Sequence, residues 1–159
     1  MKALYKGPLF EVQKIENKDV VIHPGAAVIL PLLEPGVVLM IKNKRVAVGK
    51  TLWELPAGTV DPDEMPLVTA KRELEEETGY KAKELKPITE FYTSPGYSNE
   101  KVYAFLAEEV RKTKQNLEPG EEIEVVPMKW THIIELIKNE EIQDAKTLAV
   151  LMHYILFYY

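Results

Sequence analysis

Apolar positions change their period along the chain, and each change marks an element. Leu9–Ile15 and Val20–His23 are short β-rich runs around the polar Glu16-Asn17-Lys18-Asp19, the pattern of an antiparallel hairpin closed by Pro24-Gly25. Ala26–Leu30 and Val37–Ile41 are apolar at nearly every position, as strands buried on both faces are, with Pro31 and the Glu34-Pro35-Gly36 turn between them. Arg45–Val48 extends the sheet, and Trp53-Glu54-Leu55 precedes Pro56, which pushes its predecessor toward extended geometry. Helical spacing first appears after Asp61-Pro62-Asp63, where Leu67, Ala70, Leu74 and Thr78 stack on one face and Gly79 stands at C′. Ile88–Tyr92, Val102–Ala107 and Ile123–Val126 read as strands, separated by the loop Thr93–Glu100 and the turn Glu118-Pro119-Gly120-Glu121. Two helices close the chain, Thr131–Asn139 and one from Asp144 or Ala145 onward with Asp144 as N-cap. Strands, a helix, strands and two helices, with no repeat or linker, predict one domain over 1–159 of α/β or α+β class, layered α/β/α.

Composition narrows the function classes. With 46% hydrophobic and 28% charged residues in 159, a sizeable core can form. A formal net charge of −5 disfavours a counterion-release grip on nucleic acid or on an anionic membrane. The chain has no cysteine, which excludes disulfides, zinc–thiolate sites, iron–sulfur clusters and thiol catalysis and fits a reducing compartment, so the cytoplasm is the expected address. No apolar span is long enough to cross a bilayer, and the start lacks the apolar segment of a signal peptide. The greasy run from Leu148 to Tyr159 is short and interrupted by His153, which suits a buried helix end or a partner surface.

The candidate chemistry lies on the first helix. At 100° per residue Glu73, Glu76 and Glu77 bunch along one edge of the apolar stripe, with Glu75 on the other edge. Glu73 is an i,i+3 and i,i+4 neighbour of Glu76 and Glu77, and each like-charge pair costs about 0.2–0.5 kcal/mol. Arg72 can neutralise Glu76, leaving Glu73 and Glu77 facing one space. A solvated charged face is one explanation; the other is a hard divalent cation, since carboxylates, a carbonyl and waters make the all-oxygen set that Mg²⁺ or Mn²⁺ prefers. His23, His132 and His153 are isolated and not spaced as a metal pair.

Gly58-Thr59-Val60-Asp61-Pro62-Asp63-Glu64, seven further residues, and Arg72-Glu73-Leu74-Glu75-Glu76-Glu77-Thr78-Gly79-Tyr80 together resemble the Nudix box at every fixed position, Gly-x5-Glu-x7-Arg-Glu-U-x-Glu-Glu-x-Gly-U with U a bulky apolar residue. Asp63 stands where many relatives carry glycine, and Tyr80 fills the last apolar slot. The resemblance implies a Nudix-type α/β/α sandwich with a mixed sheet and an N-terminal antiparallel strand extension, the box forming a loop–helix–loop over 58–80. It implies hydrolysis of a nucleoside diphosphate joined to another group, dependent on Mg²⁺ with Mn²⁺ as a substitute. Carried over, Glu73 and Glu77 are metal ligands, Glu76 is a ligand or a water-mediated one, and Ala57 offers its backbone carbonyl. Arg72 orients, and Glu64 supports the loop and helix.

Glu54-Leu55-Pro56-Ala57-Gly58 and Ser94-Pro95-Gly96-Tyr97-Ser98-Asn99-Glu100, with Pro95 fifteen residues past Tyr80, look like the ADP-ribose pyrophosphatase branch, and the likeness runs on to Asp144-Ala145-Lys146-Thr147. It implies cleavage of ADP-ribose to AMP and ribose 5-phosphate, with Ser94, Pro95 and Glu100 bordering the substrate, although an ordinary proline turn also accounts for that loop. A glutamate on a later loop is the implied base or extra ligand: Glu121 first, then Glu122, with Glu118 nearby, unless this is a solvated turn and Glu73 is the base. Lys42, Lys44 and Arg45 either neutralise the diphosphate or guard a strand end. Where relatives carry an aromatic in an Arg-Gln-Tyr-Arg-like stretch this chain has Lys44, so base stacking would fall to Tyr5, Phe10 or Trp53, the last also an ordinary core residue. Relatives of this branch pair through N-terminal strands, so a homodimer through residues 1–23 is expected. The rivals are a hydrolase of another nucleotide, such as a GDP- or UDP-sugar, a dinucleoside polyphosphate or a damaged triphosphate, and a non-catalytic nucleotide-binding module, whose expected mark would be loss of box residues.

Overall fold

The N-terminal meander is built as three antiparallel strands, β1 (Lys2–Lys6), β2 (Glu11–Ile15) and β3 (Lys18–Ile22). The computed structural model describes residues 2–159, so Met1 of the expected domain lies outside the described residues. Glu16 and Asn17 close the β2–β3 hairpin at φ 46° and 65°, the two-residue turn geometry that follows strand twist. Strand β1 carries no turn signal or long apolar run, so the apolar pattern does not mark it, although it falls within the N-terminal strands expected over 1–23.

β4 (Ala26–Glu34) and β5 (Val37–Arg45) are the central strands. β4 does not stop at Pro31. Ile29 donates to the Pro56 carbonyl (2.9 Å), so the amide position of Pro31, two residues on, faces the same side, where β4 changes neighbour from β7 (Ala57–Thr59) to β5; no ladder bond is lost there. Val46–Val48 is one exposed 3₁₀ turn ending on Gly49 at φ 65°, where the extended pattern was expected to continue, and β6 (Lys50–Glu54) returns along β5. After α1 (Pro66–Thr78) come β8 (Tyr80–Tyr92) and β9 (Lys101–Lys112), both longer than their apolar segments because β8 is an edge strand exposing most of its side chains. β10 (Ile123–Lys129), α2 (Trp130–Lys138) and α3 (Ala145–Phe157) complete the chain, and Asp144 Oδ2 caps α3 by accepting from the Thr147 amide at 2.9 Å.

The seven-stranded mixed sheet has the order β10-β5-β4-β9-β8, with β6 on β5 and β7 on β4; β4 and β9 run parallel. Alternation along β4 explains the layers. Ala26, Val28 and Leu30 face α2 and α3, with Trp130, Ile133, Val150 and Leu151, whereas Ala27 and Ile29 face α1, with Ala70 and Leu74. The result is the α/β/α sandwich. Burying each large apolar side chain contributes about 1.5–3 kcal/mol, and the thin α1 side, with few such residues, depends on each of them. Leu74→Ala is expected to destabilise the chain by about 2–5 kcal/mol. Val46→Ser, at a side chain 89% exposed, should stay within about 0.5 kcal/mol, both read by denaturant unfolding.

Candidate active site

The fold sets α1 across the open end of β7 so that one helix edge borders a cleft of about 840 Å³. The loop into α1 turns at Asp63, φ 65°, the left-handed conformation for which glycine is usual and which aspartate tolerates better than most residues. Gly58 is needed for closeness: a Cβ there would collide with the Glu73 side chain.

Arg72 is the hub of the acidic edge. Its Nη1 donates to Glu73 Oε1 (2.6 Å) and Glu76 Oε2 (3.1 Å), while Nη2 lies 3.3 Å from Glu64 and 3.4 Å from both Asp61 and the Thr59 carbonyl. Its Nε is buried without a partner. Arg72 therefore holds Glu73 as well as Glu76, more than the i,i+4 spacing had suggested. Glu64 also accepts from the Thr69 hydroxyl (2.6 Å), which with Arg72 keeps its carboxyl below the ordinary range and fixes the loop to the helix.

Glu77 differs from the rest. It is 3% exposed, and burial pushes its pKa up to about 8; the Ala57 amide, donating to its Oε2 at 2.8 Å, works the other way, and Glu73 and Glu121 add to the rise. Burial raises Glu73 too, against the pull of Arg72. Ala57 pairs with Val28 while Ile29 donates to Pro56, so Val28 and Ala57 are a non-hydrogen-bonded pair, and the Ala57 carbonyl points off the ladder on the same side as its amide. That carbonyl and the carboxylates of Glu73, Glu76 and Glu77 suit a hard divalent cation chemically. Among the described residues, however, no three carboxylates or imidazoles stand ready around one point, because Arg72 engages two of them.

Two cations, Arg45 and Lys146, line the same cleft. Arg45 makes a two-pronged contact with the buried Glu54 (Nε–Oε1 2.8 Å, Nη2–Oε2 2.7 Å), and Lys146 reaches the same Oε2 at 2.8 Å and Asp144 at 2.9 Å. The Glu54 contact raises the Arg45 pKa. Glu54 and Lys146 stand in the sequence only within longer motifs, with no site role; the available signal is a lone carboxylate between the apolar Trp53 and Leu55, which implies a buried charge in need of partners.

Of the other sequence candidates, Glu121 and Glu100 line the cleft, as do Glu118 and Phe10. Glu100 accepts from the Thr93 hydroxyl (2.6 Å) and lies 3.8 Å from His23 Nδ1. Lys42, Lys44, Ser94, Pro95 and Glu122 stand outside the lining. Lys42 sits over the Trp53 ring (4.8 Å), Lys44 pairs with Glu122 (2.8 Å), and the Ser94 carbonyl closes the Pro95 turn by accepting from Tyr97 and Ser98. Trp53 packs against the core, and Tyr5 is exposed, tilted against Phe10 at 6.0 Å.

Comparison with known proteins adds the lineage. An ADP-ribose pyrophosphatase of Bacillus subtilis (strain 168) is 43% identical over 136 residues, covering 84% of this chain and 74% of that protein. A GDP-mannose pyrophosphatase of Cronobacter sakazakii is 38% identical over 138 residues, 81% of this chain and 72% of that one. The crystal structure of an ADP compounds hydrolase superposes with a TM-score of 0.82 at 19% identity, over 98% of this chain and 90% of that chain, a likeness of fold. The family model for the NUDIX domain matches residues 22–151, and the chain belongs to the Nudix family.

Proposed function

We propose that this chain, working as one domain, hydrolyses the diphosphate of ADP-ribose to AMP and ribose 5-phosphate with Mg²⁺, for which Mn²⁺ can substitute. The observation that carries the reading is that the acidic edge of α1 and the cations Arg45 and Lys146 line one cleft. Glu73, Glu76, Glu77 and the Ala57 carbonyl would hold the ion, whose chemistry there is to neutralise and polarise the diphosphate and to acidify water. Arg45 and Lys146, braced by Glu54, present N–H donors to the anionic oxygens. Glu121 accepts the proton of the attacking water, one P–O bond of the diphosphate breaks, and the second phosphate leaves as a monoester. Glu100, which lines the cleft, faces the substrate, whereas Lys42, Lys44, Ser94, Pro95 and Glu122 stand outside the lining and have no part in this reading. The Cronobacter relative favours a second reading, a GDP-sugar as substrate. The absence of cysteine supports a cytoplasmic setting, and no helix among the described residues is long and apolar enough to cross a membrane.

A homodimer belongs to the same reading. Neither core cluster contains a residue before Ala26, and β3 meets the body through Val21, whose amide donates to Tyr97 (2.8 Å) and whose carbonyl accepts from Asn99 (3.2 Å), and through His23. A three-stranded sheet with so little beneath it gains from a second copy, and Leu4, Tyr5 and Leu9 are exposed on it.

Three outcomes are expected. In a panel of ADP-ribose, GDP-mannose, UDP-glucose and a dinucleoside polyphosphate, followed by phosphorus NMR with and without EDTA, ADP-ribose should be cleaved fastest and EDTA should stop the reaction. Glu73→Gln should lower turnover roughly 100-fold or more; a preference for GDP-mannose would transfer the reading to the GDP-sugar. The second outcome follows from Glu77. Its folded-state pKa of about 8 exceeds the ordinary 4.5, so the native state binds more protons and the stability contributed by the neutral carboxyl, full below 4.5, is lost as pH rises through about 8. Glu77→Gln should therefore have a higher Tm than the parent in EDTA at pH 8.5, while Mg²⁺ should raise the Tm of the parent and not of the variant. Third, light scattering should give a dimer, and removal of residues 1–22 should give a monomer.

A further inference from the structure

An α-helix leaves its last carbonyls without intrahelical donors, and at α1 the segment after β9 supplies them. The Glu75 carbonyl accepts from the Gly79 amide (2.8 Å). The Glu76 carbonyl accepts from the Asn116 amide (2.9 Å), and the Gly79 carbonyl from the Thr113 amide (2.7 Å). The Glu77 carbonyl instead takes a side-chain donor, Gln115 Nε2 at 2.7 Å, and the same nitrogen lies 3.4 Å from the carbonyl of Ile123, the first residue of β10. Gly79 makes room for this docking: besides its φ of 70°, a Cβ there would stand 2.7 Å from the Gln115 amide nitrogen. One amide group thus ties together the helix turn that bears Glu77 and both ends of the loop 116–122.

The tip of that loop is a unit of its own. Glu121 donates its amide to the Glu118 carbonyl (3.1 Å), its carboxylate accepts from the Glu118 amide (2.8 Å), and Gly120 at φ 95° completes the turn. Beyond its base the loop is held by Lys44, whose amide donates to the Glu122 carbonyl (3.4 Å) and whose ammonium pairs with the exposed Glu122 side chain. A stiff turn on a narrow base is aimed by that base.

We propose that Gln115 is a positioning residue, clamping the loop 116–122 to the C-terminal turn of α1 and so setting where Glu121 stands relative to Glu73 and Glu77. The proposal rests on the reading above that Glu121 takes the proton from water. A general base is effective only within hydrogen-bond reach, and a displacement of about 1 Å can lower the rate by as much as 100-fold, so loss of the clamp acts on kcat.

The test uses the full chain with Gln115→Met, which keeps length and volume and removes both donors, and Gln115→Glu, which sets an acceptor against two carbonyls. Amide hydrogen exchange at Asn116, Glu118 and Glu121, the hydrogen-bonded amides of the loop, should quicken about tenfold or more in both, with the amides of Leu74 to Glu77 unchanged. For ADP-ribose at saturating Mg²⁺, Gln115→Met should lower kcat about 10- to 100-fold with KM within about twofold, and in a Glu121→Gln background it should cause no further loss. Unaltered loop exchange in both variants overturns the clamp, and so does a kcat loss that adds fully to that of Glu121→Gln. A Tm loss with kcat and KM intact would mark a purely structural role and overturn it as well. Should Gln115→Met fail to fold, Gln115→Asn, one methylene short, replaces it with the same outcomes. If the parent cleaves none of the nucleotides in the panel, the proposed activity falls, while the exchange measurement still decides whether Gln115 holds the loop.

Discussion

Four carboxylates share one guanidinium, and the geometry of the site follows from that imbalance. Asp61, Glu64, Glu73 and Glu76 all lie within 3.4 Å of Arg72. Like charges on adjacent helix turns destabilise a helix, and the cost grows as they leave water. Arg72 makes the arrangement tolerable without neutralising it: one positive charge faces four negative ones, and its Nε has no partner. The edge of α1 is therefore held together yet left strongly acidic. It is a place where added positive charge lowers the free energy.

The scaffold serves that edge by being ordinary elsewhere. β4 distributes its apolar side chains to both layers, so α1 can be pinned by Ala70 and Leu74, with Leu67 packed beside them, while its other side faces the cleft. The close approach of β7, permitted by Gly58, brings the Ala57 amide to Glu77 and leaves the Ala57 carbonyl off the ladder. The β5–β6 pair and the first turn of α3 meet at Glu54, which fixes Arg45 and Lys146 by hydrogen bonds from both. Backbone topology thus lines one cleft with the acidic edge of a helix and with two cations from a hairpin and a helix start, each already held by a carboxylate.

What could be read from the sequence is what depends on neighbours a few residues away. The stripe Leu67, Ala70, Leu74 and Thr78, the Gly79 stop, the Asp144 cap and the box itself are local patterns, and their positions agree with the structure. The fold class followed from the order of such patterns. The residues whose roles the sequence does not reveal owe their place to distant partners: Lys146 meets Glu54 across 92 residues, Gln115 meets Glu77 across 38, and no periodicity records either. Pro31 misled because a proline usually breaks a ladder, whereas here its missing amide faces a junction where β4 has no partner to lose. Lys42 and Lys44 form a positive cluster with Arg45 in sequence, yet strand alternation and the hairpin tip send them to Trp53 and Glu122, and Arg45 alone turns into the cleft.

Glu77 shows why this arrangement is better explained by a ligand than by stability. Its carboxyl is almost wholly buried, which pushes its pKa up to about 8; it accepts one backbone hydrogen bond, and two further carboxylates nearby add to the rise. An amide of the same shape would satisfy the Ala57 donor without the penalty of a buried charge above that pH, and an apolar residue would fit the α1 stripe at least as well. The remaining buried positions of α1, Thr69, Ala70, Leu74 and Thr78, carry no charge, so the helix does not need one to pack. A carboxylate that weakens the fold at the pH where it is ionised, placed beside a free-pointing carbonyl and two other carboxylates in a cleft that two cations also line, gains a physical rationale once a hard cation and an anionic diphosphate share the space with it.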